Sequence, residues 1–229
     1  MGVIGALQSI PALRNIGSEK GERSRRNGAG WERESLFGLI DTMGAGTQLV
    51  SEFEGTRVLV CDDLRDESAD FIMVQDGTAH HRRRVVFIHA KAKRKPSNCS
   101  ASALQDVCGQ AQKNLREVSL FAETGPSKRH KWSQPWDGRP HTHGIVRERV
   151  RRRNPHSDPE EDIRRAVKDP NADREVWLVL GNLLSKNTIE TMLSRNSPPG
   201  YAIQAAYLLF STLTNTAAAG ARLRVFCAP

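Results

Sequence analysis

Three polar residues interrupt two of the most apolar runs in the chain. Asp70 stands at the head of "SADFIMVQ", and His89 and Lys91 lie near the end of "RVVFIHAKA". A charge in a core strand costs free energy unless it is paired, metal-bound or placed at the strand's end. The two runs are joined by "DGTAHHRR", whose Asp-Gly pair signals a hairpin. Paired about a turn near Ala79, facing positions sum to roughly 158–160, which puts Asp70 across from His89, with Lys91 one step along the same face. A carboxylate, an imidazole and an ammonium gathered there suit metal-assisted hydrolysis of a phosphodiester. Asp70 would hold a divalent ion that polarises the phosphoryl oxygen and activates water. Lys91 would stabilise charge on the attacking water or on the pentacoordinate phosphate, and His89 would be a second ligand or a base. The plainer readings are a turn carboxylate, a hydrogen-bonded structural histidine and a snorkelling lysine.

These runs belong to a longer series. "WERESLFGLIDTM", from Trp31, places Leu36, Leu39, Ile40 and Met43 at helical spacing, with "TQLVSEF" as a short continuation. "TRVLVCDD" is a β-branched run ending in acid, the first of three successive strands. After the hairpin and a basic loop comes "SASALQDVCGQAQKNLREVSLFAE", a helix with Ser100 or Ser102 as cap and Leu104, Val107, Cys108, Ala111 and Leu115 on its apolar face. Residues 125–160 are charged and proline-rich and form an insertion, whose end begins a helix capped by Asp158. "REVWLVLG" is a strand, "SKNTIETMLSR" a short helix, "PPGYAIQAAYLLFSTLTNTAAAG" a helix with proline at its start and glycine at its end, and "ARLRVFCA" a last strand. This order predicts an α/β domain over residues 31–229, a mixed central β-sheet flanked by helices. Residues 1–30 are predicted to be a flexible segment, because "GSEKGERSRRNGAG" is polar and glycine-rich.

The αβββαβ order, the Asp at the head of the second strand and the His-Ala-Lys on the third resemble the PD-(D/E)XK nuclease superfamily, which has the restriction-endonuclease-like fold. "CDDLRDESADFI", "FIHAKA" and the "QAQKNL" helix are similar to nuclease modules of bacterial defence and helicase-linked proteins. The resemblance carries motifs over residues 31–121 and element order alone over 174–229. It implies a DNA nuclease using Mg²⁺ or Mn²⁺, with Asp70 and position 89 as ligands and Lys91 as the catalytic lysine. It also implies that Gln110 and Lys113, three apart on one helix face, stand beside the site. A homodimer and a helicase or ATPase on another chain are the partners it suggests. One position departs from the pattern. The family's acid before x-Lys is His89 here, a neutral and softer ligand that holds Mg²⁺ less well. Either the variant favours Mn²⁺, or the site binds nucleic acid without cutting it. Glu67, Asp62 and Asp63 are candidate replacement carboxylates, Glu67 first among them as a ligand, and Glu34 lies on the helix where the family often places a Glu.

The charge balance agrees with a polyanionic partner, nucleic acid before a neutral small molecule. The chain carries 34 Lys and Arg against 26 Asp and Glu, a net charge of +8. Four basic runs supply the surplus: Arg82, Arg83 and Arg84; Lys93, Arg94 and Lys95; Lys128 and Arg129; Arg151 and Arg152. Together they would neutralise phosphates in salt-sensitive binding, although any one alone is more often a solvated face. Trp132 and Trp136 sit among them, placed either to stack bases or to be buried under the insertion. His130, His141 and His143 lack the spacing of zinc ligands. No Gly-x-Ser-x-Gly elbow and no Gly-x-x-x-x-Gly-Lys loop occurs in the sequence, which disfavours serine hydrolases and nucleotide-driven motors. The four cysteines form no Cys-x-x-Cys pair, and without a signal peptide a reduced cytoplasmic setting is expected. No apolar run approaches the roughly 20 residues of a membrane helix. The remaining non-catalytic reading is an interaction module whose basic faces dock an acidic protein.

Overall fold

The computed structural model describes residues 2–21, 28–64, 67–79, 81–95, 97, 99–121, 129–138 and 144–229. Its strands are β1 (Leu7–Ser9), β2 (Thr56–Cys61), β3 (Phe71–Gln75), β4 (Arg84–Lys91), β5 (Trp136–Asp137), β6 (Ile145–Val146), β7 (Val150–Arg152), β8 (Asp173–Leu180) and β9 (Arg222–Cys227). The helices are α1 (Gly2–Gly5), α2 (Leu36–Asp41), α3 (Ala101–Lys113), α4 (Leu115–Val118), α5 (Pro159–Lys168), α6 (Lys186–Leu193) and α7 (Gly200–Ala218).

The β-branched runs build one mixed sheet of seven strands in the order β1-β9-β8-β4-β3-β2-β7. β2, β3 and β4 form an antiparallel meander, and β8, β9 and β1 continue it in parallel to β4. The chain is thus α/β, with a mixed central sheet flanked by helices. β3 is buried along its whole length, which is why it reads as a continuous apolar run rather than an alternating one. Alternation along the strands sorts the core into two layers. Val60, Ile72, Val85, Phe87 and Leu178 pack with Leu104 of α3, Ile163 of α5 and Leu209 of α7. Cys61, Phe71, Val86, Ile88 and Trp177 pack with Phe37 and Ile40 of α2 and with Trp31 and Trp136. Polar caps fix the helix starts: Ser35 Oγ accepts from Gly38 N at 3.0 Å, Asp158 from Glu160 N, and Ser185 from Thr188 N.

The first 30 residues differ from the expected flexible segment. Leu7–Ser9 is an edge strand of the main sheet, and Leu13 and Ile16 are buried. Residues 17–21 are docked as well, because the carbonyls of Ser18 and Glu19 accept from Leu36 N and Phe37 N at the start of α2. Residues 22–27 lie outside the described residues. The unspent amides of a helix's first turn recruited this segment, a long-range partner that polar composition does not reveal. The first helix is shorter than its periodic pattern, since Trp31 is buried ahead of the cap rather than within a helix. The insertion is also partly structural: β5 and β6 pair with each other, and β7 extends the sheet beside β2.

The basic run implies a phosphate contact for Arg84, and the structure buries it instead. It is 2% exposed at the sheet end remote from Lys91. Its Nε donates to Gln75 at 2.5 Å, its other nitrogens reach the Glu52 carbonyl at 2.8 Å and Glu175 at 3.5 Å, and its guanidinium lies over the Trp177 ring. Glu175 is fully buried and also holds Arg222 and Trp177 Nε1. A buried carboxylate requires such cations, so Arg84 answers to the core and not to solvent.

Candidate metal centre

β3 and β4 pair with Phe71 facing Ile88 and Gln75 facing Arg84. Extending that register by one residue sets Asp70 across from His89, as the hairpin spacing predicted. The side chains do not follow. Ala69 and Ile72, three apart, pack in the same core layer, so alternation breaks at the head of β3. The cause is visible in the backbone: the Asp70 carbonyl accepts from both Asp62 N and Asp63 N, at 2.9 and 3.2 Å. The Asp70 carboxylate accepts from Ala90 N at 2.7 Å and meets two other acids instead of the imidazole.

Those acids are Asp63 and Glu67. One ligand oxygen from each of Asp63, Glu67 and Asp70 lies within 4.8 Å of the others. The connection between β2 and β3 folds back to bring them together. Leu64 takes the left-handed conformation, with φ of 74°, which costs an L-residue about 1–2 kcal/mol. Its N–H then donates to Glu67 at 2.9 Å. Asn114, at the end of α3, holds the Glu67 carbonyl at 2.9 Å, and Trp136 Nε1 holds Asp63 at 2.6 Å.

The electrostatics of the cluster are those of a site short of positive charge. Burial first, and then the charges of Asp63, Glu67 and Glu19, push Asp70 well above the ordinary carboxylate range. Burial and the neighbouring Asp63 raise Glu67 to about 7. Lys20 is the one ammonium seated on the cluster among the described residues, 2.9 Å from Asp63. Burial works against its charge, but Asp63, Asp70 and Glu19 hold it well above its usual range. Glu19 lies 3.7 Å from Lys20 and 3.6 Å from Lys91, so a chain of alternating charge runs from Lys91 to the acids. Three carboxylate oxygens are the donor set of a hard divalent cation. Oxygens bound at about 2.1 Å are at most about 4.2 Å apart, so small side-chain rotations would close this set on one ion. Asp63, Glu67 and Asp70 could therefore hold a metal ion.

The other predicted residues fall into distinct places. His89 is 2% exposed and follows Val85 and Phe87 on the face packed by α3, outside the acid set. Burial lowers it to about 4, leaving a neutral ring. Lys91 is half-buried on Glu19. Asp62 serves structure: its carboxylate accepts from Ser68 N, from Trp132 Nε1 and from Lys131. Gln110 and Lys113 are exposed on α3, while Gln112 between them bonds Thr212 of α7. Glu34 is exposed ahead of α2 and lines a separate cavity with Ala12 and Asn15.

Among the basic residues, Arg82 and Arg83 stand just ahead of β4, whose eight residues span about 23 Å to Lys91 at the other end. Lys93, Arg94 and Lys95 are exposed just past the end of β4, with Lys93 also bonded to Ser100. Arg151 is taken by Asp41, at 2.5 and 3.1 Å, and Arg152 is exposed on β7. Lys128, His141 and His143 lie outside the described residues, and Arg129 opens the turn Arg129–Ser133. Both tryptophans of the insertion are buried, with their N–H groups on Asp62 and Asp63. Glu19, Lys20 and Arg149, whose guanidinium holds the Asp63 carbonyl at 2.6 Å, were not singled out from sequence.

The raised Glu67 carboxyl has a consequence for stability. An acid whose native value exceeds its unfolded value of 4.5 binds its proton more tightly when folded. Stability therefore falls as pH rises from about 4.5 to about 7, by up to about 3 kcal/mol, and stays reduced above that. Glu67→Gln flattens this fall. Urea midpoints at pH 5, 6 and 8 (about these values bracket the window) check it; equal pH slopes in parent and variant would contradict it.

Compared with known proteins, the chain matches no family model, no curated sequence and no solved structure.

Proposed function

We propose that this protein is a divalent-metal-dependent nuclease that hydrolyses phosphodiesters, with DNA as the favoured substrate and Asp63, Glu67 and Asp70 as the ligands of Mg²⁺ or Mn²⁺. The observation that carries the reading is the buried, charge-starved convergence of those three carboxylates beside Lys20, with Lys91 linked to them through Glu19. An ion held there supplies Lewis acidity and a bound water of lowered pKa. Lys91 and Lys20 offer ammonium groups to the non-bridging phosphate oxygens as negative charge builds on them. Lys93, Arg94 and Lys95 extend positive charge beyond the end of β4, where a backbone leaving the centre would run. The resemblance to the PD-(D/E)XK superfamily supports the same reading, with Asp63 and Glu67 supplying the acid that His89 lacks. A bacterial defence or repair setting, with a helicase or ATPase on another chain, is the context that the resemblance suggests.

The test is cleavage of plasmid and linear duplex DNA in Mg²⁺ and Mn²⁺. Cleavage that EDTA stops and that Glu67→Gln and Lys91→Ala each weaken supports the proposal; equal cleavage by all three proteins would sink it. A second reading, a nucleic-acid-binding subunit that no longer cuts, is favoured by one observation: Lys91 is drawn onto Glu19 rather than onto the acids. Salt-dependent DNA binding without cleavage would select it. In either case, replacing Lys93, Arg94 and Lys95 together by Ala lowers the slope of log K against log[salt] by about 3, whereas Arg82→Ala with Arg83→Ala leaves it unchanged. Equal effects of the two sets, read by fluorescence anisotropy, would contradict the placement of DNA at the Lys91 end.

A further inference from the structure

A cavity of about 520 Å³ opens beside the metal centre, between the turn Arg129–Ser133, the segment around β7 and the first turn of α5. The cleavage proposed above makes no use of it. Trp132 forms part of its wall. The indole N–H is spent on Asp62 at 2.7 Å, so what Trp132 offers the cavity is aromatic carbon. Arg149 is a second wall residue, 5% exposed, with one nitrogen on the Asp63 carbonyl. Its Nε is buried without a hydrogen-bond partner among the described residues. Arg147 and Arg153 line the cavity with exposed side chains.

The polar lining is balanced. The three arginines are met by Glu148, Asp158 and Glu160. A site for a bare anion would show an excess of cations, and a site for an apolar ligand would not gather six charges. A nucleobase has what this lining asks for: a flat ring to meet the small part of the Trp132 indole left open (7% exposed), and acceptors and donors along its edges for guanidinium and carboxylate groups. The volume is within the range of small-molecule sites. Two wall residues, Trp132 and Arg149, are bonded to Asp62 and Asp63, so the cavity and the acid cluster share one turn of chain. We infer that this cavity is a nucleobase pocket, which takes the base of a nucleotide flanking the bond held at the metal centre and sets its phosphate against Arg147 and Arg153. The choice of ligand rests on the nucleic-acid reading, but the pocket needs no metal.

The experiment titrates the four deoxynucleoside 5′-monophosphates and inorganic phosphate into the full chain in EDTA, following the indole N–H resonance of Trp132. At least one mononucleotide is expected to shift that resonance saturably, with inorganic phosphate far weaker. Arg147→Ala combined with Arg153→Ala, both exposed positions, weakens binding about tenfold, and Trp132→Leu, which removes the open edge of the indole, weakens it as well. No binding by any mononucleotide, phosphate binding as well as they do, or binding indifferent to both variants would overturn the pocket. Metal is absent, so the outcomes separate. Mononucleotide binding in a protein that never cuts DNA leaves the pocket standing and removes the nuclease reading; cleavage without mononucleotide binding does the reverse.

Discussion

For the proposed nuclease, Asp70→Asn is expected to lower metal-dependent DNA cleavage by about a thousandfold or more, while leaving the protein without metal at least as stable as the parent. The two halves of this result have one cause. The carboxylate is 5% exposed and crowded by Asp63, Glu67 and Glu19, so its ionised form is costly without a neutralising cation. Asparagine keeps the shape, and its carbonyl can still accept from Ala90 N, which now bonds the carboxylate at 2.7 Å. What it lacks is the charge that a divalent ion requires. Cleavage assays and urea denaturation in EDTA at about pH 8 check the pair of outcomes. An Asp70 that served only the fold would show the reverse, a lower urea midpoint with activity lost only in proportion to unfolding.

Lys20→Met is expected to tighten Mn²⁺ binding by about 10- to 100-fold. The Lys20 ammonium neutralises Asp63 at 2.9 Å and lies over the Phe37 ring of α2. Two unit charges about 4 Å apart interact by about 4 kcal/mol at an effective dielectric of about 20. An entering cation meets repulsion of that order until the lysine swings aside. Methionine removes the competitor and keeps most of the packing volume. The same substitution leaves three acids without their cation, so the metal-free variant is less stable near neutral pH and regains stability on adding Mn²⁺. Calorimetric titration with Mn²⁺ and denaturation with and without EDTA test both. Weaker Mn²⁺ binding would mean that Lys20 arranges the acids for the ion instead of standing in its place.

These expectations draw on features of unequal visibility in the sequence. The order of elements was legible because apolar period and caps are local: Asp158 begins α5 as its residue type suggests, and Ser100 begins α3, although its hydroxyl makes no cap bond. The hairpin register was legible too, since the turn fixes it, and Phe71 does face Ile88. Which side chains meet at its end was not. A carbonyl that takes two amides turns Asp70 away from His89, and no residue type announces that irregularity. Asp62 and Asp63 are adjacent acids with opposite fates, decided by whether Trp132 or Trp136 reaches them from some 70 residues away. Glu19 and Lys20 sit in a stretch whose composition resembles a linker, and only the open amides of α2 explain its docking. Arg84 was the recoverable case. Glu175 is a lone acid within the apolar run "REVWLVLG", and such a residue asks for a buried cation.

The centre itself can be examined most directly by anomalous diffraction from crystals soaked in Mn²⁺. An anomalous peak is expected with a carboxylate oxygen of Asp63, Glu67 and Asp70 each about 2.0–2.3 Å away, absent in Asp70→Asn. No peak among the three acids, or one that persists unchanged in the variant, would contradict it.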